Sequence, residues 1–327
     1  MEERLLGRTG LRVSAVGFGC GSIGGLFVRG TETEQRAAFE VAVAAGIRYF
    51  DSAPLYGAGH SEENLGRVLV ETGANVIVGT KVRLNPAEVG DAVAAVRRSI
   101  ESSLRRLRRD RVDLFQLHNA VVTHAGGSND RLAVDDVLGP VLEGMRAVRD
   151  AGLTRHIGFT GLGETAALLR LVQDGSFETV QTYFNAINPS TGWSGRNDAG
   201  TQDYAGLIDH AREAGVGTLV IRPLAAGALA GEGERHPVAA SPSPPYTHDA
   251  GYAADQERAR KLAALARELG FASSGELALR FVLSKPGVST VLIGFSDSAQ
   301  LRDALRWEAA RTLDPVILER VLALQET

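Results

Sequence analysis

The chain has 327 residues, 44% of them hydrophobic and 23% charged, a composition typical of a globular protein with a large core. With a net charge of −4, it offers no basic field for nucleic acid or an anionic membrane. No apolar stretch reaches the roughly 20 residues of a membrane span, and the start, Met1-Glu-Glu-Arg4, does not resemble a secretory signal. The single cysteine, Cys20, fits a reducing compartment. We therefore expect a cytoplasmic protein without nucleic-acid or membrane partners.

Short runs rich in β-branched and aromatic residues recur along the chain, and most are continuously apolar, as in parallel strands buried on both faces. These predicted strands are Val13–Phe18, Arg48–Asp51, Val76–Lys81, Val112–His118, His156–Thr160, Thr179–Asn185, Gly217–Leu224 and Thr290–Phe295. Segments with helical spacing separate them; these are Thr33–Ala45, Ser61–Glu71, Pro86–Leu107, Val134–Ala151, Glu164–Gln173, Asp203–Ala214, Asp255–Leu269 with Gly275–Leu283, and Ser296–Arg306. Eight alternating strand–helix units predict an α/β fold, a (β/α)8 TIM barrel that forms a single domain over residues 1–327.

Two further elements flank the predicted barrel. Arg4–Leu6 and Leu11–Val13 are typical of an N-terminal β-hairpin, which we expect to plug the barrel floor, and Pro315–Leu324 predicts a C-terminal extra helix. Ser61 and Ser296 are the expected helix caps.

Polar side chains end three successive predicted strands. Asp51, Lys81 and His118 stand at these ends, and Tyr56 follows in the loop after Asp51. Because the carboxyl ends of parallel barrel strands converge on one mouth, we expect these four side chains to lie together. Each residue alone is more often structural than catalytic, but the set at consecutive strand ends favours a site.

This set suits proton transfer coupled to hydride transfer. A phenol ionises near pH 10, and a neighbouring ammonium favours its ionised form. Lys81 is the expected source of that field, with Asp51 holding Lys81 charged and oriented. Tyr56 would then exchange a proton with the substrate oxygen, while His118 would hydrogen-bond that oxygen.

The same residues resemble the aldo-keto reductases. The stretch from Phe50 to Glu62, Phe-Asp-Ser-Ala-Pro-Leu-Tyr-Gly-Ala-Gly-His-Ser-Glu, is similar to the family signature after the second strand. Gly79-Thr-Lys81, Leu117-His118 and Gly158-Phe-Thr160-Gly agree in order and spacing. The resemblance covers nearly the whole chain. It implies that Asp51, Tyr56, Lys81 and His118 form the catalytic tetrad, with Tyr56 as the acid/base and no metal.

The resemblance also implies a nicotinamide cofactor, with contacts from several strand ends. The implied cofactor-binding residues are Gly19, Cys20 and Asp51 near the nicotinamide, Thr160 and Gln181 at the carboxamide, Ile221, Arg222, Pro223 and Leu224 along the pyrophosphate, and Gly294, Ser296 and Gln300 around the adenosine phosphate.

The sequence departs from the family pattern in four places along the chain. Ile221-Arg222 replaces the usual stacking aromatic and serine, and Thr160-Gly161 replaces Ser-Asn. Gly21 stands near the place of a common tryptophan, and Ala304 at that of the final cofactor asparagine. These changes leave the cofactor preference open.

The resemblance favours NADP(H), with NAD(H) as the alternative. A 2′-phosphate calls for a cation, preferably arginine, but there is none from Gly294 to Gln300, where Asp297 is unfavourable. The nearest candidate is Arg235, beside His236 in the long loop Ala225–Tyr252. A solvated loop charge is the competing interpretation of Arg235.

Three other classes of protein compete with this interpretation. Gly19-Cys-Gly21-Ser-Ile-Gly24 matches the Rossmann fingerprint, but the helix does not open at these glycines. A metal-dependent hydrolase would use Asp51, His60, His118 and His124, with Lys81 opposing the cation. A non-catalytic, cofactor-binding regulatory subunit is the third alternative, in which Cys20 would be either a redox-sensitive thiol or a small buried residue.

We therefore predict an aldo-keto reductase-like enzyme that transfers hydride between a nicotinamide and an aldehyde, ketone or sugar, or else an NAD-dependent aldose dehydrogenase of the same fold. Four variable loops are expected to set specificity: Leu26–Arg29, His124–Arg131, Pro189–Asp198 and Ala225–Tyr252. Trp193 is either a substrate platform or a loop anchor.

Overall fold

A computed structural model describes residues 1–124, 130–196, 201–231, 234–241, 251–309 and 312–324. Its strands are β1 (Glu3–Leu5), β2 (Arg12–Ser14), β3 (Val16–Gly19), β4 (Tyr49–Asp51), β5 (Ile77–Val82), β6 (Val112–Leu117), β7 (Ala120–Val122), β8 (Arg131–Ala133), β9 (Thr154–Gly161), β10 (Thr179–Tyr183), β11 (Gly217–Ile221) and β12 (Val288–Gly294).

The α-helices are α1 (Leu26–Arg29), α2 (Glu32–Ala44), α3 (His60–Thr72), α4 (Ala92–Leu107), α5 (Val134–Asp136), α6 (Leu142–Asp150), α7 (Thr165–Asp174), α8 (Leu207–Glu213), α9 (Tyr252–Glu268), α10 (Ser274–Leu283), α11 (Ser298–Ala309) and α12 (Pro315–Ala323).

Eight strands close into a barrel in the order β3, β4, β5, β6, β9, β10, β11 and β12. Every neighbouring pair is parallel, and β12 returns to β3 with Ile293 opposite Phe18. Because one helix or more follows each strand, the apolar outer faces of the strands are covered, which explains their continuous apolar runs. The predicted (β/α)8 barrel is confirmed.

The prediction of one strand over Val13–Phe18 is wrong. The hairpin strand β2 ends at Ser14, and the barrel strand β3 begins at Val16. Val13, Ala15 and Val16 continue the apolar pattern across this boundary, so periodicity alone gives no sign of the break between the hairpin and the barrel.

Several predicted helices have different bounds. The segment over Val134–Ala151 is interrupted by a π-turn at Val137–Val141, where Pro140 lacks a backbone N–H. Pro86–Asp91 forms a 3-10 helix before α4, and α8 begins four residues later than predicted, at Leu207.

Both predicted serine caps are wrong. Ser61 lies inside α3, where its hydroxyl donates to the Cys20 carbonyl oxygen at 2.8 Å. At α11, the N–H of Gln300 donates to Asp297 Oδ1 at 2.8 Å, so the carboxylate of Asp297 provides the cap in place of Ser296.

The N-terminal hairpin closes the floor of the barrel. β1 pairs antiparallel with β2, and Leu6, Leu11 and Val13 pack in one buried cluster with barrel side chains. The barrel members of this cluster are Tyr49, Leu114, Leu219 and Leu292. Gly7 approaches β11 so closely that a Cβ there would lie 2.2 Å from the backbone nitrogen of Gly217. The expected plug is therefore present, and the extra helix α12 confirms the C-terminal prediction.

A small sheet that the sequence did not predict lies beyond the mouth of the barrel. β7 and β8 pair parallel, and Val121 bridges to Gly163 after β9. These strands are three residues each, too short for an alternating pattern to stand out. Within the described ranges no helix is long and apolar enough to cross a membrane.

We expect Leu6→Ala to lower the free energy of unfolding by about 2–5 kcal/mol, because it leaves a cavity in the sealed floor. Its neighbour Leu5 is 56% exposed, so Leu5→Ala is the matched control, with an expected change within about 0.5 kcal/mol. Urea unfolding curves measure both. Equal stability of the two variants would show that the hairpin contributes little to the closure of the barrel.

Candidate active site

The structure brings together the acid, the amine and the phenol predicted from the sequence. Asp51 ends β4, and Lys81 projects from the neighbouring strand β5 into the barrel. The ammonium of Lys81 forms an ion pair with Asp51 Oδ2, and it donates to Tyr56 Oη at 3.1 Å and to the Ser52 carbonyl oxygen at 2.9 Å. All three ammonium donors are therefore directed, and one points at the phenol.

The second oxygen of Asp51 accepts three hydrogen bonds. Donors to Oδ1 are Tyr49 Oη at 3.2 Å, Gln116 Nε2 at 3.3 Å and Gln181 Nε2 at 2.9 Å. Together with Lys81 on Oδ2, these donors satisfy a carboxylate that is only 3% exposed. The carboxylate is thus held in one orientation by four side chains.

Sequence reasoning missed Tyr49 and Gln116, and a signal for both was present. Tyr49 precedes Asp51 by two residues and Gln116 precedes His118 by two, so in each strand the pair shares a face. The role of Gly79, which the sequence showed only as part of a family motif, was also missed. A Cβ at Gly79 would lie 2.1 Å from Tyr49 Oη, so glycine leaves the space that this hydroxyl occupies.

The surroundings of Lys81 favour its protonated, charged form. Burial lowers the pKa of Lys81, but attraction to Asp51 and to Tyr56 and hydrogen bonds to both outweigh it, so the pKa is raised overall. Lys81 therefore stays protonated at neutral pH and presents a fixed positive charge to the phenol.

His118 stands beside Tyr56, with the two ring centroids 5.9 Å apart and the rings nearly perpendicular. Burial, and then the charges of Lys81 and Arg83, lower the pKa of His118 well below its usual value. The imidazole is therefore neutral at pH 7. Its Nδ1 is buried and has no hydrogen-bond partner among the described residues.

The first two implied cofactor residues follow β3. Gly19 lies opposite Asp51 in the register of β3 and β4, and the N–H of Cys20 donates to the Asp51 carbonyl oxygen at 2.9 Å. The Cys20 side chain is buried in the main core, and burial raises the pKa of its thiol. The redox-sensitive interpretation is therefore not supported, since a reactive cysteine needs an accessible thiolate.

Thr160 and Gln181 are opposite each other in the register of β9 and β10. Thr160 Oγ1 donates to the Leu117 carbonyl oxygen, and Gln181 Nε2 donates to Asp51. A hydroxyl keeps acceptor capacity and an amide keeps its carbonyl oxygen, so both residues fit the amide donors of a nicotinamide carboxamide.

The loop after β11 has a strained backbone. Arg222, Ala225 and Ala226 adopt positive φ of 56°, 46° and 55°, which costs of order 1–3 kcal/mol each for residues with a Cβ. Strain of this kind clusters at ligand clamps. It begins at Arg222, where the resemblance places the pyrophosphate, and continues directly after Leu224, so the residues present fit a nicotinamide dinucleotide.

Ile221 stands at the position where the family usually has an aromatic residue that stacks on the nicotinamide. Its side chain packs against the apolar cluster of the barrel floor. Tyr183 lies opposite Ile221 in the register, and the guanidinium of Arg222 lies 4.2 Å above its ring. This arginine–tyrosine pair could not be foreseen, since it depends on two strands meeting.

The implied phosphate end of the site is largely engaged with protein groups. The Ser296 hydroxyl donates to the Gly24 carbonyl oxygen at 2.7 Å, and the Ser296 N–H to Gln300 Oε1 at 2.9 Å. Gly294 is packed so closely against Gly24 that a Cβ on Gly24 would lie 2.4 Å from the Gly294 carbonyl carbon.

Arg235 is half-buried and bonded to the backbone of its own loop. Its guanidinium donates to the backbone carbonyl oxygens of Ala226, at 2.8 Å, and Ala240. His236 Nε2 lies 3.7 Å from Asp297 Oδ2. Arg235 therefore cross-links the segment after β11, and its assignment to a 2′-phosphate stays a prediction.

Trp193 is a loop anchor. Its ring packs at 5.7 Å from Phe184 and 5.4 Å from Phe281, and Lys285 Nζ lies 4.8 Å from its centre. The substrate-platform interpretation does not fit these contacts. Parts of three predicted specificity loops, at residues 125–129, 197–198, 232–233 and 242–250, lie outside the described residues.

Two of the rival classes do not fit the structure. His60 and His124 are exposed, and in the described part of the chain no group of three His, Cys, Asp or Glu side chains could hold a metal. The glycines from Gly19 to Gly24 belong to a closed barrel rather than to an open Rossmann sheet.

A closed parallel barrel whose mouth holds this tetrad is the architecture of a barrel oxidoreductase. The sequence pattern of the Aldo/keto reductase family matches residues 15–325, so the chain belongs to that family and is an NAD(P)-dependent oxidoreductase.

The chain is also similar to individual oxidoreductases and to a solved structure of the family. L-galactose dehydrogenase from Arabidopsis thaliana is 31% identical, covering 93% of this chain and 86% of the relative. D-threo-aldose 1-dehydrogenase from a Pseudomonas species is 31% identical over 52% of this chain and 56% of its own length. The holo form of an aldo-keto reductase from Bacillus halodurans shares the fold with a TM-score of 0.74 at 23% identity, covering 99% of this chain and 96% of its own.

Proposed function

We propose that this oxidoreductase interconverts a hydroxyl and a carbonyl group on an aldose or similar hydroxy-aldehyde, with Tyr56 as the group that gains or loses the proton. The observation that carries the proposal is the position of Lys81, whose buried ammonium is bonded to Asp51 and to the phenol of Tyr56 at once. The positive charge of Lys81 beside the phenol oxygen favours the phenolate form of Tyr56, and a phenolate can deprotonate an alcohol.

The nicotinamide cofactor, when bound, supplies the hydride acceptor in oxidation and the hydride donor in reduction. Thr160 and Gln181 would hold its carboxamide through their free acceptor capacity, and the strained segment from Arg222 to Ala226 would contact its phosphates. These roles rest on the family resemblance together with the contacts described above.

His118 positions the substrate oxygen. Since its pKa is depressed by burial and by Lys81 and Arg83, the ring is a neutral hydrogen-bond donor that does not compete with Tyr56 for the proton. During reduction Tyr56 gives its proton to the carbonyl oxygen as hydride reaches the carbon, and the charge left on the phenol is balanced by Lys81. Oxidation runs through the same groups in reverse.

The aldose assignment draws on two relatives named for sugar oxidation, L-galactose dehydrogenase and D-threo-aldose 1-dehydrogenase. Gly21 contributes to a site that admits such a substrate. A Cβ there would lie 3.4 Å from the ring of Tyr56, so the absence of a large side chain leaves the phenol accessible beside the mouth.

We infer that NAD(H), rather than the NADP(H) that the family resemblance favours, is the preferred cofactor. The guanidinium of Arg235 is committed to two backbone carbonyl oxygens. The carboxylate of Asp297 caps α11 beside Ser296. A 2′-phosphate at this end would meet a negative charge where it needs a cation.

We expect Tyr56→Phe to lower kcat by about 10²–10⁴-fold for aldose oxidation, because the proton has no acceptor. Binding of NADH should be unchanged, since the cofactor residues are elsewhere. Steady-state kinetics and a fluorescence titration measure the two quantities. Tyr204→Phe, a buried tyrosine outside the tetrad, is the control and should keep near-native kcat.

Full activity of Tyr56→Phe would remove the phenol from the proton transfer. A protein that binds NADH but turns over no carbonyl or alcohol in a broad panel would instead support the non-catalytic regulatory alternative.

For the cofactor, we expect NADH to bind at least about tenfold more tightly than NADPH, because of repulsion between Asp297 and the 2′-phosphate. Asp297→Arg should narrow or reverse the difference, whereas Arg235→Met should weaken both cofactors alike by loosening the loop. Separate fluorescence titrations measure each Kd. A loss confined to NADPH in Arg235→Met would mean that this guanidinium turns to the phosphate.

A further inference from the structure

An arginine that the tetrad does not use stands at the mouth of the barrel. Arg83 follows the end of β5 by one residue, two positions after Lys81. Continuing the alternation of the strand places it on the same side as Lys81 and further out toward solvent. The backbone N–H of His118 donates to the Val82 carbonyl oxygen at 2.7 Å, so Arg83 and His118 leave the barrel side by side.

The guanidinium of Arg83 forms an ion pair with the carboxylate of Asp130. Their side chains are 38% and 50% exposed, so the ion pair lies at the surface of the mouth. The proximity of Arg83 to His118 is also felt electrostatically, since its charge helps to depress the histidine pKa.

A buried amide fixes the backbone of Asp130 and of Leu84, the residue after Arg83. Asn119 Nδ2 donates to the carbonyl oxygens of Leu84, at 2.7 Å, and Asp130, at 3.0 Å, and Asn119 Oδ1 accepts the N–H of Leu84 at 2.9 Å. Exposed ion pairs contribute little to stability. Stability therefore does not explain why a buried amide holds the backbone beside this ion pair at the mouth of the barrel.

We propose that Arg83 and Asp130 form a binding site for neighbouring hydroxyl groups of the substrate and thereby select polyhydroxylated substrates. The guanidinium offers parallel N–H donors, and the carboxylate offers acceptors. A vicinal diol both accepts and donates hydrogen bonds, so it complements the pair without breaking it. An anionic substrate would have to displace Asp130 from Arg83.

This inference rests on the proposed function for the reaction, and it adds the substrate feature that the site recognises. Hydride transfer and proton transfer involve other residues, so the pair acts on substrate binding and not on the chemical step.

The test compares glyceraldehyde with propanal as substrates for reduction by NADH, using the whole chain. In Arg83→Met we expect KM for glyceraldehyde to rise about 10- to 100-fold, the loss typical of charge-assisted hydrogen bonds, with kcat nearly unchanged. KM for propanal should stay within about twofold, since it has no hydroxyl to lose. Asp130→Asn should also raise KM for glyceraldehyde selectively.

The matched control is Arg97→Met, which removes an exposed arginine paired with Glu101 on α4 and should alter neither KM. Equal losses on both substrates in Arg83→Met would indicate a structural role, and no loss on either would mean that the pair does not contact substrate. Either result overturns the inference.

Calorimetric titration of the NADH complex with a non-reducible polyol, glycerol or sorbitol, provides a readout independent of turnover. Binding to the wild type that is weakened in Arg83→Met supports the pair as a hydroxyl site even if no aldehyde is reduced, in which case the proposed reaction alone would fail. Equal binding of the polyol to the wild type and to Arg83→Met would overturn the proposed hydroxyl site without contradicting the proposed reaction.

Discussion

The candidate site depends on the ion pair between Lys81 and Asp51. Both side chains are buried, and removing one partner from a buried pair typically costs about 3–5 kcal/mol because the other charge is left uncompensated. The buried ion pair therefore needs further hydrogen-bond partners. Tyr49, Gln116 and Gln181 donate to Asp51, and Tyr56 accepts from Lys81. The same contacts that keep the charges stable in the barrel also orient the phenol.

The barrel builds this arrangement from neighbouring strands. Tyr49 and Asp51 come from β4, Lys81 from β5 and Gln116 from β6, and each position follows from the register of parallel strands. Gly79 has no side chain, which leaves room for the hydroxyl of Tyr49. Below this polar layer the hairpin seals the floor with apolar side chains, so the site is accessible from the mouth, where substrate and cofactor are expected to enter.

The sequence predicts what local patterns determine. Apolar runs locate the barrel strands, and Asp51, Tyr56 and Lys81 meet as expected because strand ends converge. What it misses depends on distant contacts. The hydroxyl of Ser61 bonds Cys20 rather than capping a helix, and Arg235 bonds backbone brought near by folding. Their spacing places Tyr49 on the same strand face as Asp51, and Gln116 on the same face as His118, but only the fold shows that both bond the carboxylate of Asp51.

The most direct test of this account is a double-mutant cycle between the charge pair and the phenol, measured as kcat/KM for aldose oxidation. Lys81→Met is combined with Asp51→Asn so that no lone charge is left in the barrel. If the pair acts through Tyr56, its removal costs about 100-fold or more in the wild type but little in the Tyr56→Phe background. Equal losses in both backgrounds would contradict the account, since the pair would then contribute independently of the phenol.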